Sequence, residues 1–266
     1  MTAARGQWFS SSPAKARYER FALIYSPMWI AMMGLVMLTG LYRSWDDPGY
    51  MAFGVLLAAP LILAPVLTTK VGEGASWRAI VGSTWLRINV WIAIFVFVGS
   101  YVCTHYFFDV VGMRYGFPTR WNFDATLVGH SDGEVPLFLY PVTQAYFMTY
   151  HVAATVALRW LSTRYELGAL GRALVVAVLA YVVAFAETFF MAIPALADVF
   201  EYADRGRMLA WGSLFYGTFF VVSVPAFARV DEGERWTMLR TVSSALAVSM
   251  AVVLGLELWA TLLGRL

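Results

Sequence analysis

The stretch YVCTHYFFDVVGMRYGFP, residues 101–118, decides how the chain is read. It begins as the last turns of an apolar helix and ends in a loop punctuated by Gly116 and Pro118. His105 and Asp109 are four residues apart, so both fall on one helical face. Tyr101, Tyr106, Phe107, Phe108 and Tyr115 stand around them. An imidazole and a carboxylate at the end of a membrane span are costly unless they face a site or a partner.

Outward from this stretch the chain is 60% apolar, 17% aromatic and only 14% charged over 266 residues. An ordinary soluble domain carries roughly 25% charged residues, so an all-α, polytopic membrane bundle is expected. The net charge of +2 and the absence of a basic patch point away from nucleic acid. A single cysteine, Cys103, excludes an internal disulfide framework and a cysteine zinc cluster.

About seven spans are expected, at 23–42, 50–69, 86–108, 137–160, 171–193, 208–228 and 240–263, in one transmembrane domain covering 23–266. A basic cytoplasmic segment, 1–22, precedes them. The first span is too long for a signal-peptide core and is read as retained, with Pro27 in its first turns. Pro60 and Pro65 imply a kinked second span whose freed carbonyls find neighbours. The aromatic-rich connection 109–135 is expected to lie at the interface as a lid. With the N-terminus inside, thirteen of the nineteen Lys and Arg residues fall on inner segments, which sets the orientation.

Glu187, His105, His151 and Glu257 lie in or at the edge of spans. Glu187 reads either as a hydrogen-bonding strut between helices or as a desolvated carboxyl kept protonated, hence a proton donor. His151 reads as a helix–helix partner or as a base. His105 oriented by Asp109 forms a base-and-orienter pair, with an interfacial ion pair as the plainer alternative. Glu257, near a span end beside Trp259, is expected to snorkel. No metal-ligand spacing, phosphate loop or dinucleotide glycine pattern occurs, and no metal is expected. Aromatic clusters could line a cavity for a flat, apolar ligand.

Several blocks carry a resemblance: Arg87-x-Asn89-x-Trp91, Thr104–Phe108, Tyr115-x-Phe117-Pro118, Tyr150-His151-Val152, Glu187-Thr188, Asp204-Arg205, Gly212–Tyr216, Ser223, Pro225 and Asp231-Glu232. In order and spacing, over about Arg17 to Glu232, they resemble the cycloeucalenol cycloisomerases, the cyclopropyl sterol isomerases of plants. The resemblance implies a membrane isomerase without a cofactor. It would open the 9β,19-cyclopropane ring of cycloeucalenol or a cycloartenol-like sterol to a Δ8 olefin. Leu137 and Gln144 stand where histidines are expected in the family, and the last span shows little likeness. Chemistry then suggests Glu187 as acid, His105 with Asp109 or His151 as base, and Asn89, Tyr106, Phe107, Tyr115, Tyr146, Tyr150 and Tyr216 as substrate contacts. Partners are the sterol and the bilayer. Arginine outnumbers lysine seventeen to two, which fits a GC-rich bacterial genome and an inner membrane; in a eukaryote the endoplasmic reticulum is expected. Two rival classes stay open: a sterol- or lipid-binding protein without catalysis, and a haem-binding redox protein using His105 and His151.

Overall fold

A computed structural model describes residues 6–68, 80, 82–123 and 133–266. They form a helical bundle: α1 (Pro13–Thr39), α2 (Asp47–Thr68), α3 (Thr84–Val98), α4 (Thr104–Val111), α5 (Leu139–Arg164), α6 (Ala169–Met191), α7 (Arg205–Ala228) and α8 (Met238–Leu263). A π-helical turn, Gly99–Cys103, joins α3 to α4 and makes one long element of them. The helices α1, α3–α4, α6, α7 and α8 are each long and apolar enough to cross a membrane. The protein is an integral membrane protein.

Two helices differ in character. The described side chains of α2 make a shorter apolar helix, Asp47–Leu63. The helix α5 is long but diluted by Gln144, Thr149, His151 and Thr155, all buried. It runs through the middle of the bundle against α1, α2, α3, α6 and α7, so its polar groups meet protein rather than lipid.

Local chemistry sets the helix ends. Side chains of Ser83, Asp204 and Thr237 cap α3, α7 and α8 by accepting from Leu86, Arg207 and Arg240 N–H. Gly40 and Gly112 close α1 and α4 with φ of 68° and 65°. Helix α1 starts at Pro13, ten residues before the expected boundary, so Pro27 lies inside the helix rather than in its first turns. The reason is pairing: Lys15 and Glu19 are buried, not solvated. Pro65 has no N–H for Leu61 O, and that carbonyl accepts instead from Tyr18 Oη at 3.3 Å and Asn89 Nδ2 at 3.4 Å.

At the end holding the N-terminus, charges are matched. Arg159 bridges Glu19 and Glu232, both at 2.8 Å, and Lys15 reaches Glu232 at 2.9 Å. Arg87 grips Asp231 through Nε and Nη2, 144 residues away, and Trp236 N–H donates to the same carboxylate at 2.8 Å. Burial opposes ionisation of Asp231 and Glu232. Arg87 and the Trp236 N–H overcome this for Asp231, as Lys15 and Arg159 do for Glu232, and both carboxyls lie below their usual range.

The opposite end is capped by short strands. β1 (Met113–Tyr115) pairs antiparallel with β4 (Phe200–Tyr202), and β2 (Asn122–Phe123) with β3 (Val135–Pro136). Gly116 N–H donates to Val199 O, and a Cβ on Gly116 would stand 2.3 Å from Asp198 O, so only glycine fits. Tyr42 and Arg43 hold Asp198, at 2.7 and 2.8 Å, and the Arg120 N–H and the Thr119 hydroxyl hold Asp47. The described part of the expected lid is thus fastened across the bundle; residues 124–132 of it lie outside the described residues.

Candidate active site

Glu187 sits one turn before the end of α6, just beneath this cap. On α6, Ala180, Ala184 and Thr188 are buried against α7, where Gly217 allows Ala180 and Ala184 to approach. The neighbouring stripe, Leu179, Val183, Glu187 and Met191, is half-buried toward the bundle interior. The sequence therefore turns the carboxyl inward by helical spacing alone.

The hydroxyls of Tyr216 (α7) and Tyr150 (α5) lie within electrostatic reach of the Glu187 carboxyl group. Its Oε2 is buried without a hydrogen-bond partner among the described residues. Tyr115 and Tyr202 from the two cap strands and Tyr146 from α5 lie within electrostatic reach of it. The Tyr202 hydroxyl is likewise buried without a partner among the described residues. Burial first, then nearby phenol and carboxyl charge, raises the phenol of Tyr115; burial and the Glu187 charge do the same for Tyr202. Such phenols stay protonated and can donate. Phe107, Phe219 and Phe220 close the ring: Tyr216 lies 5.6 Å from Phe107, 5.3 Å from Phe219 and 5.3 Å from Phe220. One carboxyl, several phenols and several aromatic faces thus meet in a place poor in other charge.

The sequence-predicted residues divide into three groups. Glu187, Tyr115, Tyr146, Tyr150, Tyr216 and Phe107 are brought together. His105 lies close by on α4, buried, its ring 5.4 Å from Phe108, which in turn lies 5.8 Å from Tyr115. Asp109 lies one turn further along α4, and its backbone carbonyl accepts from Leu266 N–H at 2.8 Å. Tyr106 turns toward α8, beside Glu257, which is exposed. Asn89 lies elsewhere, between α2, α3 and α5.

His151 is held apart from Glu187. Its Nδ1 lies 2.7 Å from Phe147 O and its Nε2 2.7 Å from Ser223 Oγ. A carbonyl only accepts, so Nδ1 carries the proton and Nε2 accepts from the serine. Trp91, Phe95, Phe147, Phe220 and Phe227 pack around the ring. Both nitrogens are consumed, so axial ligation of a haem through Nε2 would displace Ser223. Among the described residues no cluster of His, Cys, Asp and Glu is spaced to hold a metal.

Tyr202 is the member that sequence reasoning missed. It lies on a three-residue strand whose pairing with β1 joins segments almost ninety residues apart, and no local spacing announces it.

No family model and no solved structure matches the chain. A curated protein of Arabidopsis thaliana, cycloeucalenol cycloisomerase, is 32% identical over 270 residues, covering 97% of this chain and 89% of its own. The alignment therefore extends past Glu232 into α8, beyond the stretch of about Arg17 to Glu232 that carries the resemblance.

Proposed function

The chain belongs to the cycloeucalenol cycloisomerase family, and from that premise we propose that it opens the cyclopropane ring of a cyclopropyl sterol within the membrane. The observation that carries the site assignment is the inward carboxyl of Glu187 among phenols and aromatic faces. The chemistry is redox-neutral. Glu187, in its acid form, gives its proton to a cyclopropane carbon. The adjacent ring bond breaks, its electron pair forms the new C–H bond, and a tertiary cation remains. Loss of a proton from the neighbouring carbon makes the olefin. In this reading His105, joined to the chamber wall through Phe108 and Tyr115, takes that proton.

The surroundings suit a cation. Phe107, Phe219, Phe220 and the tyrosine rings offer π faces, worth about 0.5–2 kcal/mol each toward positive charge. The fastened cap excludes water, which would otherwise trap the cation as an alcohol. Tyr216 and Tyr150 steady the carboxylate left after proton transfer. His151 serves as framework for α5 and α7.

The test is Glu187→Gln, assayed in membranes with cycloeucalenol and with cycloartenol. Turnover is expected to fall by about 10²–10⁴-fold, the usual contribution of a placed acid. Undiminished turnover with a folded protein would overturn the assignment.

A further inference from the structure

We propose that the seam between α1 and α6 is the gate by which the sterol passes from the bilayer to Glu187, and that Tyr42 and Arg43, gripping Asp198, are its latch. This rests on the isomerase reading and adds the route that its substrate takes. The chamber is closed: Glu187 Oε2 and the Tyr202 hydroxyl are fully buried. A rigid polycyclic lipid therefore reaches the carboxyl only if one wall moves. Three helix boundaries around the chamber are fixed by buried polar bonds. Thr149 of α5 holds α1 through Ser26 Oγ at 2.8 Å and Trp29 Nε1 at 3.0 Å. His151 holds α5 to α7 through Ser223, and Thr188 holds α6 to α7 through the Ser213 hydroxyl at 2.8 Å.

The boundary between α6 and α1 differs. The main neighbours of α6 are α5 and α7, and those of α1 are α2, α3 and α5. Yet the carboxyl lies at this boundary: Trp29 of α1 stands 4.5 Å from Tyr146, which is within electrostatic reach of Glu187. Tyr146, Tyr150 and Glu187 are only half-buried. A side chain on α5, in the middle of the bundle, keeps such exposure where two flanking helices fail to meet. Met33, one turn beyond Trp29, and Met191, one turn beyond Glu187, are half-buried at the same end, and unbranched methionines repack readily. Among the described residues, the hydrogen bonds and ion pairs from α1 and the turn after it to α6 and the loop after it all fall on one carboxylate. Asp198 Oδ2 accepts from Tyr42 Oη at 2.7 Å and from Arg43 Nη2 at 2.8 Å. Arg43 and Asp198 are exposed, and an exposed ion pair is a weak fastening. Releasing Asp198 therefore frees the capped end of α6, and with it Glu187, from α1.

The experiment uses the full chain in lipid nanodiscs with both partners of the ion pair replaced, Arg43→Cys and Asp198→Cys. A reducible thiol-specific linker, cut to the length of the ion pair it replaces, then locks the seam. The native Cys103 is buried, and wild-type protein given the linker is the control. Two signals are read: turnover of cycloeucalenol, and labelling of α5 and α6 by a diazirine-bearing sterol added after linking. Both are expected to fall by about tenfold or more in the linked protein and to return on reduction, as a blocked entry step becomes limiting. Asp198→Asn, which weakens the latch and keeps its size, serves if the double variant fails to fold. It should speed the labelling about two- to fivefold, the worth of an exposed ion pair. Linked protein that labels and turns over like its reduced form, or labelling no faster in Asp198→Asn, overturns the proposal. Turnover absent in every form, with labelling still blocked by the linker, overturns the isomerase reading and leaves the gate standing.

Discussion

The two ends of the bundle handle buried carboxyl groups in opposite ways. At the N-terminal end Glu19, Asp231 and Glu232 each touch a cation, and Asp231 is gripped by two guanidinium nitrogens. At the capped end phenols are the polar groups within reach of Glu187 among the described residues, and one of its oxygens has no hydrogen-bond partner among them. A paired carboxylate is fixed in charge and holds helices together. A carboxyl among neutral donors can change protonation state without an ion pair to break. The first arrangement suits architecture and the second suits proton transfer.

The contrast is broken most forcefully from the architectural side. Arg87→Met strands the buried Asp231 and is expected to cost roughly 3–5 kcal/mol of stability, read as a lowered unfolding midpoint in detergent. The fraction that stays folded should keep its turnover. Ser223→Ala removes the donor to His151 Nε2, and a loss of about 1–3 kcal/mol is expected in the same assay. A collapse of turnover out of proportion to unfolding would instead give His151 a part in the reaction.

The chemical side sharpens it next. Tyr216→Phe and Tyr150→Phe each remove one hydroxyl from the surroundings of Glu187. Each should slow cyclopropane opening about tenfold, near the worth of one hydrogen bond to a charged group, with the melting point little changed.

The smallest effect is in pH. The folded-state pKa values of Asp231 and Glu232 are lowered, so their contribution is present above the unfolded carboxylate value of about 4. It is lost as pH falls through the folded values. Thermal unfolding measured from neutral to acid pH should therefore show stability declining below about 4, and the slope should flatten in Arg87→Met.

Much of this was legible in the sequence, because membrane helices declare themselves by length and apolarity, and because a lone carboxyl in such a helix is conspicuous. Glu187 and the tyrosines of α5 and α7 emerge from that rule. The pairing of Arg87 with Asp231 does not, since two charges 144 residues apart read separately as loop residues. A helix–helix role for His151 was among the readings, but its partner was hidden: the serine that answers it lies 72 residues away. Tyr202 depended on a strand of three residues that exists only because β1 lies beside it. The early start of α1 was masked by Lys15 and Glu19, which look solvated until their partners are known.

The π-helical turn at Gly99–Cys103 has a consequence for the chain's tolerance of length. Thr104 Oγ1 donates to Gly99 O at 3.3 Å, five residues back, within a coil wound one residue too wide. The surplus residue is absorbed there, so α3 and α4 keep the facing they would have in a regular helix one residue shorter. Excising one residue from this turn should leave His105 and Phe107 pointing where they now point. The same excision from the straight part of α3 would swing everything downstream by about 100°.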